Sequence, residues 1–331
     1  MVKKILIFRT DRIGDLIVTC PAIISIKKSI PDSHVTLIAS SRNYDYAKSL
    51  NFFDSLYGFP KKNILKKIFF IHKLRKKFYD YIFVFDGKER SVLTAALSNS
   101  RYKVALISNF RFYYNFFNLN FFRDAGKSDL ISVFQKMITH AKLNTEIANY
   151  DFLKNKIDNN FSVKIPIKDY IHIHFDEKWF SELYINTYTN INPGYDDFED
   201  LLNSISEKFD LLITTGLEDT DLINKLKVKY FQKISDKIFL KKNSNKFVYL
   251  IFKPSFNDIE SLLRKTKVLI SCHGSILHAS NSFDIKKIDI IEKEKKNFYR
   301  KFTVYLSEYT YLHRQDFKEL KNKILEKLRN F

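Results

Sequence analysis

Two cysteines, Cys20 and Cys272, are all the thiols that 331 residues carry. They lie far apart and form no CxxC or zinc-ligand spacing, which excludes a disulfide scaffold and a cysteine-based metal site; one long-range bridge stays open. No stretch reaches the roughly 18 uncharged apolar residues that a membrane-spanning helix requires. The apolar run after the opening Met-Val-Lys-Lys, Ile5 to Phe8, is too short for the core of a signal peptide. The expected location is therefore a reducing cytoplasm, free or peripheral on the inner face of the cytoplasmic membrane. Internal repeats, low-complexity tracts and recognised nucleic-acid motifs are also missing, and glycine is scarce, with seven residues.

What is present is apolar and basic. A hydrophobic content of 45% is ample for packed cores, and the length exceeds what one core usually organises, so two domains are expected. The formal charge of +19 implies an anionic partner: nucleic acid, an acidic membrane face, or phosphorylated substrates. Short apolar runs alternate with amphipathic helical patterns, the mark of βαβ units and a parallel sheet. Strands are expected at Ile5–Phe8, Val35–Ala39, Tyr81–Phe85, Val104–Ile107, Tyr170–His174, Leu211–Thr214, Phe247–Ile251 and Val268–Ser271. Helical patterns cover Ile17–Ser29, Ile64–Phe78, Asp196–Lys208, Asp219–Tyr230, Asn257–Lys265 and Ile276–Phe283, and a charged amphipathic helix closes the chain after Gln315. The polar, Asn-rich stretch Asn144–Asn160 suits an interdomain connection. The expected division is 1–155, 165–313 and a terminal helix over 314–331.

Four glycines, Gly14, Gly87, Gly216 and Gly274, each follow a strand-like run. In open parallel sheets ligands bind outside the carboxyl ends of strands, where glycine lets the backbone approach them closely. Each alone reads as a turn residue; the four together point to a ligand cleft between two such domains.

Two stretches carry unusual composition. Lys61 to Phe78 has eight Lys/Arg and no acid. Ile64, Leu65, Ile68, Ile71, Leu74 and Phe78 fall at helical spacing there, so the leading expectation is an apolar face packed on the core with the lysines in solvent. The alternative is a basic amphipathic face on anionic lipid. Phe110 to Phe122 carries eight Phe/Tyr, with Arg111 and Arg123 at its edges, and reads as core, oligomer contact or interfacial anchor, with acceptor or membrane contact preferred.

After the first strand comes Arg9-Thr10-Asp11-Arg12-Ile13-Gly14-Asp15, then a helix. On residue physics alone Asp15 reads first as a helix cap, worth about 1 kcal/mol. The whole stretch Ile5–Ile23, with Arg-x-Asp-x-x-Gly-Asp, Thr-x-Pro-Ala and a later Pro31-Asp32 turn, resembles the amino terminus of the bacterial heptosyltransferases, family nine of the glycosyltransferases. Tyr79–Ser91, Leu211–Glu218 and Asp258–Ala279 resemble further signatures of that family in the same order.

The resemblance implies the GT-B arrangement, an α/β fold of two Rossmann-like domains facing across a cleft. An anionic glycolipid acceptor would bind the first and a nucleotide-diphosphate sugar the second. It implies inverting transfer without a metal or other cofactor, and places the family's proposed base at Asp15, with Asp11 as a loop-shaping runner-up. Arg12, Gly14, Asp86 and Arg90 fall on the acceptor side. Lys178, Gly216, Glu218, His273, Gly274, Ser275 and His278 fall on the donor side. The family's usual Asp-Thr-Gly-x-x-His is replaced here by His273-Gly274-Ser275 before His278, so the acid is lost and the glycine displaced by one. Lys178-Trp179 matches the family's lysine–tryptophan element, although the usual Asn-Pro-Gly comes later, at Asn192–Gly194. A sugar-nucleotide epimerase of the same fold and a basic nucleic-acid-binding protein are the alternatives; nucleic acid is not the expected partner.

Overall fold

The computed structural model describes residues 2–61, 63–107, 128–143 and 146–329, and the backbone of 120–123. Two compact units divide the chain, Met1–Phe152 and Leu153–Phe331.

In unit 1 the order is β1 (Lys4–Arg9), α1 (Ile13–Ser29), β2 (His34–Ala39), α2 (Tyr44–Lys48), β3 (Ser55–Gly58) and α3 (Ile64–Arg75). There follow β4 (Phe78–Val84), α4 (Glu89–Leu97), β5 (Asn99–Ile107), β6 (Asn120–Arg123) and α5 (Leu130–His140). The six strands form one parallel sheet in the order β3-β2-β1-β4-β5-β6. β1 is apolar and buried from Ile5 onward because helices cover both faces of such a sheet. Helix α1 is buried from Leu16 to Ile23, packs beside α5, and receives the Tyr150 hydroxyl on the Val18 carbonyl at 2.9 Å.

Unit 2 runs β7 (Tyr170–Phe175), α6 (Tyr195–Ser206), β8 (Leu211–Thr215), α7 (Asp221–Lys229), β9 (Gln232–Lys233), β10 (Ile238–Asn243) and β11 (Lys246–Ile251). It continues with α8 (Phe256–Leu263), β12 (Thr266–Cys272), α9 (Ser275–Ser280), β13 (Lys286–Ile291), α10 (Lys296–Thr303), β14 (Tyr309–His313) and α11 (Phe317–Leu328). The sheet order is β14-β13-β12-β7-β8-β11-β10-β9, parallel except for the antiparallel ribbon β11-β10-β9. Its core joins Phe175, Trp179 and Phe198 to Phe317, Leu320, Ile324 and Leu328, so α11 is part of this unit's interior.

Both sheets are doubly wound. Unit 1 builds outward from β1 through β2 and β3, then crosses to β4 on the other side; unit 2 does the same from β7 through β8, then crosses to β12. The strand order therefore reverses between β1 and β4, and between β7 and β12, and ligands collect outside the carboxyl ends of such strands.

Two expectations are corrected. The helix of the basic stretch ends at Arg75, and Phe78 already belongs to β4, where Asp80 holds the Lys4 N–H at 2.9 Å. Its apolar residues are only partly core-packed: Leu74 is buried with Phe70 packed beside it, while Ile64, Leu65 and Ile68 stand in solvent. Both cysteines are free thiols, buried in different units. Of the aromatic stretch, residues 110–119 lie outside the described residues, and only the backbone of β6 is placed.

Candidate functional site

In unit 1 the reversal point is filled by charge. Arg9, at the end of β1 and nearly buried, donates to the Phe85 carbonyl (2.6 Å) and the Asp15 carbonyl (3.0 Å), and pairs with Asp11 at 3.2 Å. Asp86, just beyond β4, receives the Thr10 N–H (2.9 Å), the Thr10 hydroxyl (2.6 Å) and the Ser91 hydroxyl (2.8 Å). It also takes the Lys88 N–H at 3.0 Å, so it builds the junction of the two loops. Gly87 between them has φ +61°, the left-handed region that suits glycine. Arg90 donates to the Thr10 carbonyl and hydroxyl (3.2 and 3.1 Å) and lies over the Phe59 ring.

Asp15 sits in the first turn of α1, where one carboxylate oxygen accepts the Arg12 N–H at 3.1 Å and the other lies 3.7 Å from Arg9. Arg12 itself is exposed, and Gly14 lies beside Asp15 in the same turn. Asp11 is more enclosed. Burial pushes its carboxyl above the ordinary range, and nearby Asp86 and Asp15 add to this, against the opposing pull of Arg9 and of Lys88, which pairs with it.

Beside this junction lies a pocket of about 640 Å³ lined by Thr10, Ser40, Ser41, Arg42, Lys61, Lys88 and Arg90, among others. Its polar lining is four cations, three hydroxyls and the one carboxylate of Glu89, so cations outnumber acids there. Its Ser40-Ser41-Arg42 segment follows β2 directly. Sequence reading passed over it because no glycine marks that strand end, and it singled out neither Arg9 nor Lys88 on the loops that Gly14 and Gly87 do mark.

In unit 2 the turn after β7 presents Lys178. Burial disfavours its charge, yet the adjacent Asp176 carboxylate outweighs that and holds the ammonium protonated above the usual lysine range. Asp176 is in turn kept ionised well below the ordinary carboxylate range, by Lys178 and His174, against its own burial. From β12 the chain turns at Gly274, where an added Cβ would stand 2.9 Å from the Lys178 ammonium. Gly216, after β8, backs on the same turn: a Cβ there would meet that of Asp176 at 2.7 Å. Lys178, Gly216 and Gly274 are thus brought together at the reversal point, with Ser275 opening α9 beside them. Glu218 stands exposed on the turn after β8.

His273 donates from Nδ1 to Asp289 on β13 (2.8 Å), which also accepts the Tyr309 hydroxyl (3.1 Å). A carboxylate therefore backs the loop from a neighbouring strand, which spacing along the chain does not reveal. His278 is buried with its Nδ1 3.2 Å from the Tyr305 hydroxyl, and burial holds it neutral, so it adds no positive charge. Cys272 is no nucleophile, because burial pushes its thiol up to about 12. Trp179 is a core residue whose Nε1 donates to the His174 carbonyl at 3.1 Å. Among the described residues no three His, Cys, Asp or Glu side chains gather as metal ligands.

These features define an α/β protein of the GT-B class, with two Rossmann-like units in one chain. Solved structures of that class align with it nearly end to end. A glycosyl transferase family 9 protein from Veillonella parvula matches at TM-score 0.65 and 13% identity, covering 99% of this chain and 90% of that one. The E. coli heptosyltransferase WaaC with ADP matches at 0.63 and 12%, covering 98% of both chains. The UDP-GlcNAc 2-epimerase of Methanocaldococcus jannaschii matches at 0.58 and 14%, covering 98% and 92%. No family model matches the sequence, and no curated protein matches it in a sequence comparison.

Proposed function

We propose that the chain is a glycosyltransferase that moves a sugar, heptose or another, from a nucleotide-diphosphate donor held by unit 2 to a cell-envelope glycolipid held by unit 1. Lipopolysaccharide core is the model acceptor. The observation that carries this reading is the close approach of the Lys178 ammonium to the Gly274 backbone where the strand order of unit 2 reverses. A fixed ammonium beside a backbone free of side chains suits a diphosphate, and the similar E. coli heptosyltransferase structure contains ADP.

In the proposed reaction Asp15 takes the proton of an acceptor hydroxyl as its oxygen bonds to the anomeric carbon. The bond from that carbon to the diphosphate oxygen breaks from the opposite face, inverting the configuration. Lys178, His273 and Ser275 meet the charge that collects on the leaving diphosphate, without a metal. Arg12, Gly14, Asp86 and Arg90 shape the acceptor side, with Arg42 and Lys61 supplying further cations to its pocket. Gly216 and Glu218 border the donor side.

Thermal shift against ADP, UDP, GDP and CDP, free and sugar-linked, tests the donor half. At least one should raise the melting temperature, by an amount that grows with concentration over its Kd. Gly274→Ala, which displaces the Lys178 ammonium, should remove that response, with some fall in the unliganded midpoint as the buried Lys178–Asp176 pair is disturbed. No response to any nucleotide, with salt-dependent DNA binding in its place, sinks the proposal. Isomerisation of a nucleotide sugar without acceptor would favour the epimerase reading.

A further inference from the structure

We propose that α3 is the face by which the protein docks on an anionic lipid bilayer. This rests on the reading of the acceptor as a membrane glycolipid and names the element that meets the membrane.

The helix presents two apolar sides. Phe70 and Leu74 pack inward, with Phe70 edge-on to Phe59 at 5.6 Å, and they satisfy the core. Ile64, Leu65, Ile68 and Phe69 are 72%, 61%, 57% and 72% exposed. Their spacing of i, i+1, i+4 and i+5 gathers them into one outward stripe. A cluster of four large apolar side chains in solvent marks a surface meant to be covered.

Charge selects the cover. Lys66, Lys73, Arg75, Lys76 and Lys77 are exposed on the same segment as the stripe and Lys67 is half-buried, with no acid from Lys61 to Phe78. Among the described residues none of these six forms an ion pair; Lys73 and Lys77 lie over the Tyr57 ring instead. A second copy of the same face would bring cations against cations. Nucleic acid would satisfy the lysines but offers no apolar phase for Ile68 and Phe69. An anionic bilayer offers both, with headgroups for the lysines and acyl chains for the stripe.

Position agrees. Phe59 and Lys61 line the basic pocket, and Asn63 caps α3 through its side chain, accepting the Lys66 N–H at 3.1 Å. The pocket rim thus runs into the stripe within a few residues. A lipid whose charged sugar enters the pocket would have its bilayer against α3.

Co-sedimentation with vesicles of phosphatidylcholine, with and without phosphatidylglycerol, decides the matter. The full chain should bind the phosphatidylglycerol vesicles, less so as salt rises. The double variant Ile68→Ser/Phe69→Ser should weaken binding about tenfold or more, since both side chains lose their apolar phase. Lys66→Glu/Lys76→Glu should do likewise. All four substituted positions are exposed and outside the pocket, so both variants should fold as the parent does. Failure of the parent to bind, or unchanged binding by Ile68→Ser/Phe69→Ser, overturns the proposal; so does duplex-DNA binding in place of vesicle binding. A water-soluble, deacylated acceptor separates the two claims. Both variants should glycosylate it at the parental rate, whereas absence of transfer by the parent to any acceptor would count against the transferase and leave the vesicle result standing.

Discussion

Asp11 and Asp15, four residues apart on the first loop, have different surroundings and should separate by experiment. Asp15 is partly open and completes the first turn of α1 by accepting the Arg12 N–H. If it is the base, Asp15→Asn should lower kcat by about 10²- to 10⁴-fold, with roughly 1 kcal/mol lost from the helix cap. Asp11 is enclosed between Arg9 and Lys88, and burial raises its carboxyl. A carboxyl raised by folding contributes stability below its unfolded value, about pH 4, and loses that contribution as pH climbs through the raised native value. Relative to Asp11→Asn, the parent should therefore lose stability across that window, measured by urea unfolding at stepped pH. Transferase activity retained by Asp15→Asn and lost in Asp11→Asn would move the base role to Asp11.

At the scale of elements, the turn between β4 and α4 is constrained twice. Gly87 is left-handed, and a Cβ there would stand 3.3 Å from the Leu106 carbonyl oxygen. Gly87→Ala should cost about 1–2 kcal/mol from the backbone conformation alone. It should also raise KM for the acceptor more than for the donor, because Asp86 and Lys88 flank it; an equal rise for both would place the effect elsewhere. The outer strands show why some elements were illegible. β13 reads Lys-Lys-Ile-Asp-Ile-Ile, yet Lys287 and Asp289 are fully buried. Lys287 is sheltered because its ammonium donates to the Ile285 and Ser307 carbonyls at 2.8 Å each, partners supplied by folding. The central strands β1, β8 and β12 were legible because burial on both faces demands apolar runs, and β7 was legible from Tyr170, Ile171, Ile173 and Phe175 despite the buried His172 and His174 between them.

For the whole molecule, a charge of +19 leaves cations repelling one another in the folded state. Raising salt through the range where the Debye length falls from about 30 Å to 8 Å should increase the melting temperature. Surface ion pairs such as Lys3–Asp80 at 2.8 Å would weaken in salt, but each is worth less than about 1 kcal/mol. A melting temperature that falls with salt would show that ion pairs outweigh the repulsion.

The apolar runs, the glycines that follow them and the basic surplus were properties of the chain itself, because period, turn chemistry and charge are local. From them came the α/β class, the two-unit expectation and the loops after β1, β4, β8 and β12. Tertiary structure decided what those loops touch. It set the Lys178 ammonium against Gly274, put Asp289 behind His273, and assembled Arg42 and Lys61 with Lys88 and Arg90 around one pocket. It also decided which side of α3 faces the core. Helical spacing makes both sides apolar, and only the packing of Phe70 and Leu74 on the sheet leaves Ile64, Leu65, Ile68 and Phe69 outside.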